Sequence, residues 1–144
     1  MQRIIPIAAD HAGYDLKELL KKQFSSKEMI FEDLGTHSSE SMDYPDIVHP
    51  LAKMIEADKS KLGILICGSA NGVAITANKH AGVRAAICWN PEIAALARLH
   101  NNANVLCLPA RFISNELAFG IVKAFFDTQF EGGRHQRRVD KMTC

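Results

Sequence analysis

The stretch "LGILICGSANGVAITANK", Leu62 to Lys79, passes from an apolar run into a turn of glycines and small polar residues, then into a short helical pattern. The run Leu62 to Cys67 is continuously apolar, as strands covered on both faces of a parallel sheet tend to be. Strand, glycine-rich turn and helix in that order make one βα unit, and the rest of the chain repeats it.

Four further strand candidates are "RIIPIAA" (Arg3 to Ala9), "MIFEDL" (Met29 to Leu34), "VRAAIC" (Val83 to Cys88) and "NVLCL" (Asn104 to Leu108). Pro6 cannot donate to a ladder, so the first strand is expected to lie at an edge there or to carry an irregularity. Between the strands run "YDLKELLKKQF" with its Leu16, Leu19, Leu20 stripe, "DIVHPLAKMIEA" with Pro50 expected to bend or shorten it, the short "GVAITANK", "PEIAALARLH" opened by Pro91, and "NELAFGIVKAFFDTQF" capped by Ser114. Five strands and five helices predict a Rossmann-like α/β fold, a three-layer α/β/α sandwich on a five-stranded parallel sheet. With no repeat, linker or low-complexity tract, residues 1–144 read as one domain. The one long irregular stretch, Gly35 to Asp46, has the length of a loop that lines a site.

Composition narrows the chemistry. Seventeen Lys and Arg balance sixteen Asp and Glu, and no basic run is interleaved with aromatics, so neither nucleic acid nor an anionic membrane is expected as partner. Cys67, Cys88, Cys107 and Cys144 show no CxxC spacing and too low a density for a disulfide scaffold, which suggests free thiols in a reducing compartment. No stretch reads as a signal peptide or a membrane span, so the expected location is cytoplasmic. His37, His49, His80 and His135 fall in no HxxxH or Cys/His cluster, and no metal is expected.

In a parallel sheet, ligands bind beyond the carboxyl ends of the strands. Asp10 and His11 follow the first, "CGSANG" the third and "CWNPE" the fourth. A glycine-rich turn at a helix start presents N–H groups to an anion, a phosphate or an enediolate oxygen, and the same field favours the thiolate of Cys67 as base or nucleophile. Plainer readings stand beside these: Cys67 as a small buried hydrophobe, Asp10 as a helix cap, Cys88 and Cys107 as strand interior. A cysteine phosphatase needs Cys-x5-Arg, but the position six after Cys67 is Val73; Walker and GxGxxG loops are absent too. In "EGGRHQRRVD", Arg134 and Arg138 are four apart, so on a helix both guanidiniums could fork onto one phosphate; a solvated basic helix end is the alternative. Together these groups suggest a small phosphorylated substrate.

The segments "ADHAG", "GT…DYP", "ICGSANG", "ANK…GVRAA", "ARLHNNANVL" and "EGGRHQRRV" resemble, in order and spacing over nearly the whole chain, those of the ribose-5-phosphate isomerase B family, which includes galactose-6-phosphate and allose-6-phosphate isomerases. The resemblance implies a 2-1-3-5-4 strand order and a homodimer, open to further association, whose two active sites draw on both subunits. It implies that Cys67 shuttles a proton between C2 and C1 of the open-chain sugar while the N–H groups around Gly68, Asn71 and Gly72 meet the cis-enediolate. Ser69 would move protons between substrate oxygens. His100 would open the furanose ring and Asn101 contact hydroxyls, both from the partner chain. Asp10 would accept hydrogen bonds from the sugar, Tyr44 line the ring-opening end, His11, Arg134 and Arg138 grip the phosphate, and Arg111 add a contact from the other subunit. No cofactor is implied.

Two departures from the family pattern stand out: Ala70 where glycine is frequent, tolerable if its φ is negative, and "LPAR" in place of a glycine-containing sequence before Arg111. Because thiol, histidine and arginines share one chain, ribose 5-phosphate is the expected substrate, in a pentose phosphate route or a dedicated sugar pathway. A six-carbon aldose phosphate, allose 6-phosphate or galactose 6-phosphate, is the alternative within the same chemistry. A non-catalytic sugar-phosphate sensor is the alternative outside it, although a sensor would need neither Cys67 nor His100.

Overall fold

The computed structural model describes residues 2–143; Cys144 lies outside them. Strands β1 (Arg3–Ala9), β2 (Met29–Asp33), β3 (Gly63–Cys67), β4 (Ala85–Ile87) and β5 (Val105–Pro109) form one parallel sheet in the order β2-β1-β3-β5-β4. Helices α1 (Tyr14–Phe24), α2 (Pro45–Ala57), α3 (Asn71–Ala77), α4 (Pro91–Asn101) and α5 (Asn115–Asp127) fall where the helical patterns place them, and a sixth, α6 (Arg134–Asp140), takes up the basic tail.

Alternating strand residues feed two cores. On one face Ile5, Ile7, Ile64, Ile66, Leu106 and Leu108 pack with α1, α4 and α5; on the other Ala8, Leu65, Val105 and Cys107 pack with α2 and α3. Burying both faces is what makes these runs apolar throughout. Leu16 and Leu20 face the first core, but Leu19 is 37% exposed and drops out of the expected stripe.

At Pro6 the strand has a neighbour on one side only, as a residue without an N–H requires. β1 is an interior strand, paired with β2 from Arg3 and with β3 only from Ile7 onward. Ile7 and Ala9 direct their backbone groups to the β2 side, so the nitrogen of Pro6 faces β3, ahead of the point where pairing begins. Its missing N–H therefore removes no ladder bond. Helix α2 runs on through Pro50 to Ala57 without being shortened.

Candidate active site

The turns that leave the carboxyl ends of β1, β3 and β5 enclose a cleft of about 510 Å³. Cys67, the last residue of β3, is a free thiol 5% exposed at its floor. The other two described cysteines are in different surroundings: burial pushes the Cys88 thiol up to about 12 and the Cys107 thiol well above its ordinary value, so both stay protonated. Of the three, only Cys67 opens onto a cleft.

Beyond Cys67 the turn is bare for two reasons visible in its packing. A Cβ on Gly72 would lie 2.5 Å from Cζ of Tyr44, and one on Gly68 would lie 3.1 Å from Nη1 of Arg111. The glycines thus let an aromatic ring and a guanidinium close over the turn. The backbone N–H groups of Gly68, Ser69 and Ala70 have no acceptor among the described residues, while that of Asn71 donates to Ser69 Oγ at 3.3 Å. Free donors at the start of a helix favour negative charge. Ala70 is fully buried with φ at +66°, so the negative φ that would make its methyl tolerable is not adopted. The left-handed conformation costs an alanine on the order of 1 kcal/mol, which the turn's packing must hold.

Asp10 does not cap α1, whose N-cap is Gly13, but it shapes the turn before that helix. Oδ1 accepts the N–H groups of Ala12 and Gly13 at 2.9 and 3.1 Å, shaping the turn into α1, and Oδ2 is left to the cleft. Gly13 is required there, since a Cβ would sit 2.6 Å from the Ile66 side chain. His11 Nδ1 accepts the Met42 N–H at 3.3 Å, tying the long Gly35 to Asp46 loop across the cleft and bringing Tyr44 to it. With Nδ1 an acceptor, Nε2 of the neutral ring carries the proton and is a donor.

Arg111 departs from expectation: it lines the same cleft as its own chain's Cys67, its N–H donating to Gly68 O at 3.1 Å, and does not need a second subunit to get there. Phe112, 75% exposed beside it, also lines the cleft; the residues following β5 carried that signal.

The remaining site residues are elsewhere. Helix α4 runs back from the carboxyl edge of the sheet, and the segment after it re-enters at the amino edge, where Asn104 O accepts the Gly63 N–H at the start of β3. His100 and Asn101, in the last turn of α4, are therefore separated from Cys67 by about the length of a five-residue strand, roughly 15 Å. Asn101 lines another hollow, with Asn78 and Arg84. Arg134 and Arg138 are exposed, one turn apart on α6, which packs against α4 through His135. One chain thus places the expected site residues in two groups: the cleft with Asp10, His11, Tyr44, Cys67, Ser69 and Arg111, and an opposite corner with His100, Asn101, Arg134 and Arg138.

At that corner, ligand atoms of His100, Glu131 and His135 lie within 4.8 Å of one another. The two imidazoles are nevertheless stacked, 4.2 Å between centroids and 14° from parallel. Their in-plane lone pairs cannot converge on one ion in that arrangement.

Residues 5–142 match the family model described as Ribose/Galactose Isomerase. A probable ribose-5-phosphate isomerase B of Mycoplasma pneumoniae is 45% identical over 143 residues, which are 99% of this chain and 94% of the relative. The crystal structure of a ribose 5-phosphate isomerase from Thermotoga maritima superposes with a TM-score of 0.94 at 48% identity, covering 99% of this chain and 98% of the other. That of ribose-5-phosphate isomerase B from Mycoplasma genitalium, with bound ribulose-5-phosphate, gives 0.94 at 44% identity, covering 99% and 95%. With fold, length and motif order all shared, the chain belongs to the ribose/galactose isomerase family.

Proposed function

We propose that the protein interconverts D-ribose 5-phosphate and D-ribulose 5-phosphate without a cofactor, with Cys67 as the base. The observation that carries this reading is the free thiol at the floor of a cleft, beside a turn in which the Gly68, Ser69 and Ala70 N–H groups have no acceptor among the described residues. The Mycoplasma genitalium relative, 44% identical, holds ribulose-5-phosphate.

The reaction starts from a furanose. His100 of a partner subunit gives a proton to the ring oxygen as the C1 hydroxyl loses one, the C1–O4 bond breaks and an aldehyde forms. Cys67 thiolate then takes the proton from C2, whose acidity comes from the adjacent carbonyl. Charge developing on O1 meets the free N–H groups of the turn after Cys67. Ser69 passes a proton from O2 to O1, and Cys67 returns its proton to C1, giving the ketose. Asp10 Oδ2 accepts sugar hydroxyls, Tyr44 covers the ring-opening end, and Asn101 reads hydroxyls. His11 Nε2–H, Arg134 and Arg138 hold the phosphate, with Arg111 adding positive charge from the cleft side.

The separation of the two half-sites within one chain supports a homodimer in which each cleft receives the α4–α6 corner of the other subunit. The fold acts as one domain over 1–144.

The test is turnover of ribose 5-phosphate and allose 6-phosphate by metal-free protein in chelator, beside Cys67→Ser. Turnover of ribose 5-phosphate that disappears in the variant, with binding of the phosphorylated sugar kept, is the expected result. The ratio of the two kcat/KM values decides between five and six carbons. Near-normal turnover by Cys67→Ser would remove the base assignment, and binding without turnover by the wild type would make the protein a sensor.

A further inference from the structure

His135 belongs to no step above, yet it is buried, 5% exposed, on the inner face of α6. Its Nε2 is fully enclosed and has no hydrogen-bond partner among the described residues. The Glu131 Oε2 carboxylate oxygen lies 3.8 Å away, beyond hydrogen-bond distance. Burying an unpaired polar atom is unfavourable, and an apolar residue would fill the space at less cost. The ring instead lies flat on His100, 4.2 Å between centroids.

The local backbone is built for this contact. Gly132 and Gly133 have φ of +74° and +55°, a sharp turn that points Glu131 and His135 to the same place. The Glu131 N–H donates to Leu99 O at 3.1 Å, fastening the turn to the last turn of α4 beside His100.

We propose that His135 is a positioning residue for His100: its flat ring fixes the plane of the His100 imidazole. The inference rests on the ring-opening role given to His100 above. Two stacked imidazoliums would repel, so a working acid–base His100 needs a neighbour that stays neutral. Desolvation pushes the His135 ring below its ordinary value, aided by His100 and by the guanidiniums of Arg134 and Arg138, against the opposing carboxylate of Glu131. That shift favours the neutral form of the His135 ring.

Ribulose 5-phosphate supplies the discriminating readout. Its C5 oxygen carries the phosphate, so it forms no furanose, and exchange of its C1 hydrogen with D2O needs Cys67 but no ring opening. His135→Ala is expected to lower kcat for ribose 5-phosphate about tenfold through loss of orientation, with C1 exchange of saturating ribulose 5-phosphate kept within about twofold. His135→Phe, which keeps a flat face, is expected to recover most of that kcat and to leave the acid limb of the pH profile in place. Unchanged kcat in His135→Ala, an equal loss of exchange and turnover, or a Phe variant as impaired as Ala would each overturn the assignment. Failure of the wild type to interconvert ribose 5-phosphate and ribulose 5-phosphate at all would instead remove the isomerase reading beneath it.

Discussion

At the scale of single residues, the site is defined as much by atoms left out as by atoms present. Gly72 makes room for the ring of Tyr44, and the space is too small for even one methyl, since a Cβ would approach Cζ to 2.5 Å and the hydroxyl to 2.9 Å. Gly72→Ala is therefore expected to displace Tyr44 and lower kcat/KM about tenfold, the order of loss that an ångström of misplacement produces. In Tyr44→Ala the same Gly72→Ala change should add little, and a double-mutant cycle in kcat/KM measures that coupling. Fully additive effects would mean that the glycine serves only the backbone. The bareness of this turn was legible in the sequence, but its cause was only half so. Exposed N–H groups follow from a glycine-rich strand-to-helix turn, whereas the partners that press on Gly68 and Gly72 come from the turn after β5 and from the Gly35 to Asp46 loop, distant in the chain. The left-handed backbone at Ala70 was equally hidden, because alanine itself disfavours it.

Among the elements, the join of α1 to the end of β2 is electrostatic. Lys17 is completely buried in α1, and its ammonium donates to both oxygens of Asp33 at 2.7 Å, with Lys21 adding a third contact at 2.7 Å. Asp33 Oδ1 also accepts the Gly35 N–H at 2.9 Å, and Gly35 O accepts that of Ala9, so the ion pair braces the two turns nearest Asp10. Asp33→Asn strands a buried ammonium and is expected to cost about 3–5 kcal/mol, read by urea unfolding; a loss under 1 kcal/mol would show that water reaches Lys17. Partial burial pushes the Asp33 carboxyl up, but the hydrogen bonds from Lys17, Lys21 and the Gly35 N–H outweigh it and hold the group at about 2, below its ordinary 3.8. A carboxyl lowered in the folded state stabilises the fold above its unfolded value and ceases to do so as pH falls toward the folded one. Stability should therefore decline between about pH 4 and pH 2, by on the order of 1–2 kcal/mol after solvent screening, and this part of the decline should vanish in Asp33→Asn. The elements themselves were readable because apolar strands and amphipathic helices leave periodic traces. Pair partners across them, such as Lys17 with Asp33, leave none.

For the molecule as a whole, the decisive fact is that α4 returns its chemistry to the wrong end of the sheet. An 11-residue helix spans about 16 Å, so His100 finishes near the amino edge while Cys67 waits at the carboxyl edge. Helix α6 stacks on α4 through His135 and carries Arg134 and Arg138 on its exposed side, so His100 and the two arginines sit on one block. If that block serves a neighbouring subunit's cleft, each complete site takes its thiol from one chain and its histidine from the other. Cys67→Ser and His100→Ala proteins are then each inactive alone. Mixed by denaturation and refolding at equal amounts, they should recover about a quarter of the wild-type rate, since half of the random dimers are mixed and each mixed dimer holds one intact site. A site built within one chain would recover nothing, because neither variant contains both groups. Titrating the ratio of the two variants gives a sharper form of the test. Recovery should peak at equal amounts and fall symmetrically on both sides, whereas trace wild-type contamination or partial activity of one variant would give a monotonic dependence on composition.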